Sequence, residues 1–164
     1  MRERVIADVG LAIRVAAAGI WLVAGAAKVT ELPTFEQQVG NYDLLPHGLV
    51  APFAYALPFV ELLVGAYLLV GLFVRPAAVL ASFLMALFLI AQIQAWSRGL
   101  VLDCGCFGSL AHERVGPATV IRDVLLGLPS FALVVWPARR LSLDRRLFSA
   151  ASQPALFHAS QRRE

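Results

Sequence analysis

The sequence predicts an all-α protein, a polytopic four-helix transmembrane bundle with both termini in the cytoplasm. Three observations carry this reading. Hydrophobic residues fill 59% of the 164 positions and charged residues only 15%, against about 25% charged in an ordinary soluble domain. The mean hydropathy of the chain is +0.73. The apolar residues gather into four long blocks parted by polar connections, each near the ~20 residues an α-helix needs to cross a bilayer.

The first block runs from about Val9 to Val29. Arg14 and Lys28 interrupt it near its two ends, where long side chains can carry their charges toward an interface. Ala16, Ala17, Ala18, Gly19 and the Ala24–Ala27 stretch are small enough for close helix packing in lipid. A competing reading of the same stretch is a cleaved signal peptide, with Arg2 and Arg4 leading and Ala24-Gly25-Ala26 as the cleavage site. Thr30 to Gly48 is a polar connection with Phe35, Tyr42, Leu44 and Leu45 in it, a composition that suits a segment lying at the bilayer surface. The second block covers about 52–74, contains Pro58 and Glu61, and closes at Arg75-Pro76. The third covers about 77–96, with Gln92 and Gln94 near its end, and the fourth about 118–136, interrupted early by Arg122-Asp123. Trp96 and Trp136, at block ends, fit interface anchors. Residues 1–137 thus form one membrane domain, and 138–164 a basic cytoplasmic tail.

Orientation follows from charge. With four crossings, Arg2, Arg4, Arg75 and the tail arginines 139, 140, 145, 146, 162 and 163 share one side, nine in all. The other side holds four basic residues, Lys28, Arg98, Arg114 and Arg122. The positive-inside rule places the richer side in the cytoplasm. The pI near 9.3 is accounted for by this asymmetry, and no aromatic-interleaved basic face points to nucleic acid.

The connection between the third and fourth blocks carries Asp103-Cys104-Gly105-Cys106-Phe107-Gly108, with both cysteines of the chain. Gly105 allows the sharp bend that would let the two sulfurs meet, because it has no Cβ to clash. A bridge across one residue closes almost no loop and departs from relaxed disulfide geometry, so it would be a poor staple and readily reduced. The orientation puts this loop outside the cytoplasm, where thiols are oxidised. Cys104 and Cys106 are therefore the candidate redox pair. Two other readings stand beside it: inert structural cysteines, and a metal site with His112 as third ligand, which the one-residue spacing disfavours. No metal is expected. Asp103 should raise and Arg98 lower the thiolate pKa.

A carboxylate within a span is costly and usually paired or functional. Glu61 falls in the outer half of its helix, at a depth shared with Lys28, Gln92, Arg122 and Asp123. This polar set could form a proton relay or hold a quinone headgroup beneath the cysteines. It could equally be structural, with Glu61 paired to Lys28 or Arg122.

The stretches 21–28 (WLVAGAAK), Leu45-Pro46, 57–61 (LPFVE), 103–108 (DCGCFG) and Arg122-Asp123 resemble the methylamine utilisation protein MauE family, within a wider DoxX-like group of small redox-associated membrane proteins. The resemblance covers residues 5 to 137. It implies a four-helix bundle in the bacterial inner membrane, with Asp103, Gly105, Phe107 and Gly108 supporting the cysteine motif. It also implies work beside a thioredoxin-like protein in maturing disulfide-containing exported clients, the named case being the small subunit of methylamine dehydrogenase. No covalently bound cofactor is implied. With one cysteine pair only, Cys104/Cys106 must meet both electron donor and acceptor. The alternative is a non-catalytic membrane subunit or assembly partner of a quinone-linked complex.

Overall fold

The computed structural model of the chain describes residues 2–106 and 113–136. Phe107, Gly108, His112 and the basic tail lie outside the described residues. Five helices follow one another, α1 (Arg2–Val29), α2 (Leu32–Asn41), α3 (His47–Val70), α4 (Val74–Ser97) and α5 (Pro117–Val135). No strand is present among the described residues, and four of the helices are long and apolar enough to cross a membrane. The all-α, four-span expectation holds.

Burial is distributed as lipid solvation demands. The outward faces of the long helices carry exposed Phe59, Phe83, Ile90, Ile121 and Phe131. The interior holds Arg14, Lys28, Glu61, Gln92, Thr119, Asp123 and Ser130. Apolar side chains gain nothing by hiding from hydrocarbon, whereas polar groups must find partners inside the bundle. The core proper is built of small residues and a few large ones: Ala17, Ala18, Trp21, Ala54, Leu57, Ala78, Ala81 and Leu133. Trp21 is a core residue whose Nε1 donates to Ser130 Oγ at 3.0 Å, tying α1 to α5. Trp96 and Trp136 are exposed at helix ends.

α1 packs chiefly along α3, and α4 along α5. The α1–α3 approach depends on glycine. A Cβ on Gly25 would sit 2.9 Å from both Leu62 Cγ and the Pro58 carbonyl oxygen. One on Gly65 would sit 2.8 Å from Leu22 Cγ.

Four boundaries differ from the sequence expectation by three residues or more: α1 begins at Arg2, not Val9, and α3 at His47, not residue 52. The second span ends at Val70, not residue 74, and the third begins at Val74, not residue 77. Gly71, at φ 75°, caps α3 in the left-handed conformation, and its N–H and that of Leu72 both bond the Tyr67 carbonyl. Pro76 then lies in the first turn of α4, where a missing N–H costs nothing. The Thr30–Gly48 connection is more ordered than a surface segment required, since most of it is α2, with Phe35 buried in the core.

Candidate thiol site at the end of the bundle

The connection from α4 to α5 returns on itself. Cys104 N–H donates to the Glu113 carbonyl and Val115 N–H to the Leu102 carbonyl, both at 2.8 Å. This antiparallel pairing of Asp103 with Arg114 clasps the two ends of the loop and presents Cys104 to Arg122 and Asp123 in the second turn of α5. Cys104 and Val115 pack with Ala95 of α4 in a small apolar cluster of their own. Gly105 is favoured by its backbone, and a side chain there would also displace Gln38. Its φ is 70°, in the left-handed region, and a Cβ there would lie 2.6 Å from Gln38 Oε1.

Asp123 is the hub. Its Oδ2 accepts from Cys106 Sγ at 3.1 Å and from Gln92 Nε2 at 2.6 Å, and lies 3.8 Å from Cys104 Sγ. Its Oδ1 accepts from Arg122 Nε at 2.8 Å. Arg122 also pairs with Glu113, and its Nη2 lies 3.6 Å from Cys104 Sγ. Gln92 Nε2 reaches Cys106 Sγ at 3.3 Å. Tyr42, from the end of α2, donates its hydroxyl to the Cys104 carbonyl at 3.1 Å. Among the described residues, one cation, one carboxylate, one amide and one phenol thus contact the loop of two thiols that are not bridged.

The two thiols differ. The Cys104 thiol is held below the usual thiol range by its hydrogen bond with Cys106, and the Arg122 guanidinium adds to this. The same hydrogen bond, with burial and the Asp123 carboxylate, pushes Cys106 well above that range. Cys104 is the natural thiolate and Cys106 the natural proton holder. The Tyr42 phenol is raised, chiefly by burial, and stays a neutral donor. Exchanging Asp123 for Asn removes a negative charge facing both sulfurs and frees Arg122 to face Cys104. Both changes favour ionisation. The pH profile of thiol alkylation in D123N is therefore expected to move to lower pH, with several-fold faster labelling at neutral pH.

Cys104, Cys106 and Asp123 place three ligand atoms within 4.8 Å of one another. The Arg122 guanidinium stands beside them, and a fixed positive charge against the thiolate opposes a cation there. The arrangement suits thiol chemistry better than metal binding.

The structure places the remaining polar residues as follows. Lys28 Nζ donates to both Glu61 oxygens, at 2.8 and 2.9 Å, with both side chains buried. Of the two partners open to Glu61 in the sequence, Lys28 is the one it meets. This pair is separate from the Asp123 hub, although a small cavity of about 20 Å³ is lined by Lys28, Glu61, Cys106 and Asp123. Gln94, two residues from Gln92 and so on another face of the helix, is exposed. Arg98 does not act on the cysteines: it binds the Tyr42 carbonyl at 3.1 Å and pairs with Asp43 at 3.6 Å. Arg122, not Arg98, is the cation beside Cys104. Asp103 is exposed and serves through its backbone. Three contributors went unread in the sequence, Gln38, Glu113 and the Tyr42 hydroxyl. The spacing Phe35, Val39, Tyr42, one face of a helix, was the signal available for α2.

A four-span membrane protein with a close thiol pair at one end of its bundle, held by an arginine–carboxylate hub, is the class that fold and site define. The family model described as methylamine utilisation protein MauE matches residues 6–137, and the chain belongs to that family. It is 35% identical over 138 residues to the methylamine utilization protein MauE of Methylophilus methylotrophus, covering 80% of this chain and 73% of the relative. It is 31% identical over 123 residues to that of Paracoccus denitrificans, covering 74% of this chain and 66% of the relative. It is 35% identical over 117 residues to that of Methylorubrum extorquens, covering 70% and 63%. No solved structure matches the chain at a significant level.

Proposed function

We propose that this protein is a thiol–disulfide exchange component of the bacterial inner membrane. In this reading the Cys104/Cys106 pair faces outward and accepts electrons from a thioredoxin-like protein that matures disulfide-containing exported clients. The observation that carries it is the unequal setting of the two sulfurs: Arg122 Nη2 lies 3.6 Å from Cys104 Sγ, whereas Cys106 Sγ donates to Asp123 Oδ2 at 3.1 Å. In the oxidised state a partner thiolate attacks one sulfur and the other leaves. The sulfur with the lower thiol pKa leaves faster. Cys104, beside Arg122, is that leaving group, so attack falls on Cys106, the less buried of the two. The mixed disulfide forms on Cys106, and a second partner thiol resolves it. The partner gains one disulfide and the pair becomes a dithiol, with two electrons and two protons transferred. The methylamine setting of the relatives' names supports a client of that system.

The test is the redox state of the pair in intact cells. A membrane-impermeant, mass-adding thiol reagent is expected to label Cys104 and Cys106 only after mild reduction. Labelling confined to lysed cells, or thiols that no oxidant can close, would overturn the reading.

A further inference from the structure

Exchange with a partner leaves the pair reduced, and the chain has no second cysteine pair to pass the electrons to. Beside the pair, between α2, α3 and α4, lies a cavity of about 270 Å³ lined by Cys104, Gly105 and Cys106 on one wall. The rest of the lining is almost wholly apolar. Phe53, Leu87 and Ile90 line it and are also exposed on the lipid-facing surface, so the cavity opens toward hydrocarbon and not only toward water. Two amide side chains reach it, Gln38 and Gln92. The Oε1 of each is buried without a hydrogen-bond partner among the described residues, and Gln92 is only 1% exposed. A buried carbonyl left unpaired is costly, and a bound donor would recover that cost.

We infer that this cavity is the docking site of a lipid-borne quinone headgroup, which takes the electrons of the Cys104/Cys106 dithiol. The inference rests on the exchange reading above and names its acceptor. Three features select the occupant. The lipid-side mouth admits a molecule delivered by the bilayer and disfavours a polar soluble oxidant. The volume, at the small end for ligand pockets, fits a single ring whose tail stays in lipid. The two unpartnered amide oxygens suit the hydroxyls of a hydroquinone, and a rotated amide offers N–H to a quinone carbonyl. An acyl chain would use neither amide. The step balances: the two thiols lose two electrons and two protons and form the Cys104–Cys106 bond, and the quinone gains both and becomes hydroquinone. Asp123, accepting from Cys106 Sγ, is placed to take its proton.

The experiment uses the full chain, reduced, in lipid nanodiscs without oxygen, mixed with a short-tailed benzoquinone. Quinone absorbance and free thiols are followed together. One quinone lost for every two thiols is the expected result. A pair that oxidised glutathione closes readily, but that leaves the quinone unreduced, would overturn the acceptor while sparing the exchange reading. A pair that neither reagent closes would sink both. Ala91 lines the cavity, and A91F is expected to slow quinone reduction at least tenfold; an unchanged rate would remove the cavity as the site. Because A91F could disturb folding, an azido-benzoquinone is also photolysed on the unaltered chain. Label on α2 or α4 residues of the cavity is expected, and label confined elsewhere, or native phospholipid alone retained there against added quinone, would overturn the assignment.

Discussion

Replacing Cys104 with Ser is expected to arrest exchange halfway. Cys106 then remains as a lone thiol beside Asp123 and Gln92, able to attack a partner disulfide but unable to close a bridge of its own. A single-cysteine form of the proposed thioredoxin-like partner, activated as a disulfide with a small thiol, should be captured on Cys106 with release of that small thiol, and the mixed disulfide should survive non-reducing electrophoresis. Replacing Cys106 with Ser leaves Cys104, which is buried at 6% exposure, and little or no trapped complex should form. Both variants should lose client maturation entirely, since a two-electron cycle needs both sulfurs. The contrast between the two is the informative part. Equal trapping in both would deny the division of labour that Arg122 and Asp123 impose. Full maturation in both would deny that the pair does chemistry at all. Cys104 packs with Ala95 and Val115, so the amount of folded protein is measured for both variants and trapping is compared per folded chain.

The four spans were legible because lipid selects continuous apolar runs, a signal that survives without neighbours. What lay between them was not. Gly71 ends α3 four residues early through a left-handed cap, and nothing in the run from Leu68 to Val74 distinguishes it from the small residues of the other spans. α2 escaped because it has ten residues, with Pro33 and Gly40 in it, and its order comes from Phe35 packing into the core, not from propensity. The thiol pair itself was legible from spacing. Its electrostatics were misjudged because nearness in sequence stood in for nearness in space. Arg98 is six residues from Cys104 but turns away to Asp43, whereas Arg122 is carried to the sulfurs by the first turns of α5. Likewise the depth of Glu61 was readable from its helix, but the choice of Lys28 over Arg122 needed the fold, which had already committed Arg122 to Glu113 and Asp123.

That buried pair yields the second large effect. Lys28 and Glu61 are 2% and 0% exposed, and the Lys28 ammonium also lies 5.5 and 5.4 Å from the ring centres of Phe35 and Phe88. Removing either partner alone leaves a charge in an apolar interior, a loss of about 3–5 kcal/mol, a large fraction of the about 5–15 kcal/mol that holds a typical protein folded. Glu61→Leu and Lys28→Met should therefore each cut the yield of folded, monodisperse protein severely and lower its Tm. The double variant K28M/E61L carries no unpaired charge, and apolar replacement of a complete buried pair is often neutral or stabilising. Folding should return in it. The same variant separates the two roles open to Glu61. Its carboxylate spends both oxygens on Lys28 and makes no hydrogen bond to either sulfur, which favours a structural pair. Thiol exchange is then expected to return together with folding. A double variant that folds yet cycles slowly, with a changed pH dependence, would instead assign the pair a part in proton movement, by way of the small cavity it shares with Cys106 and Asp123, which has room for about one water.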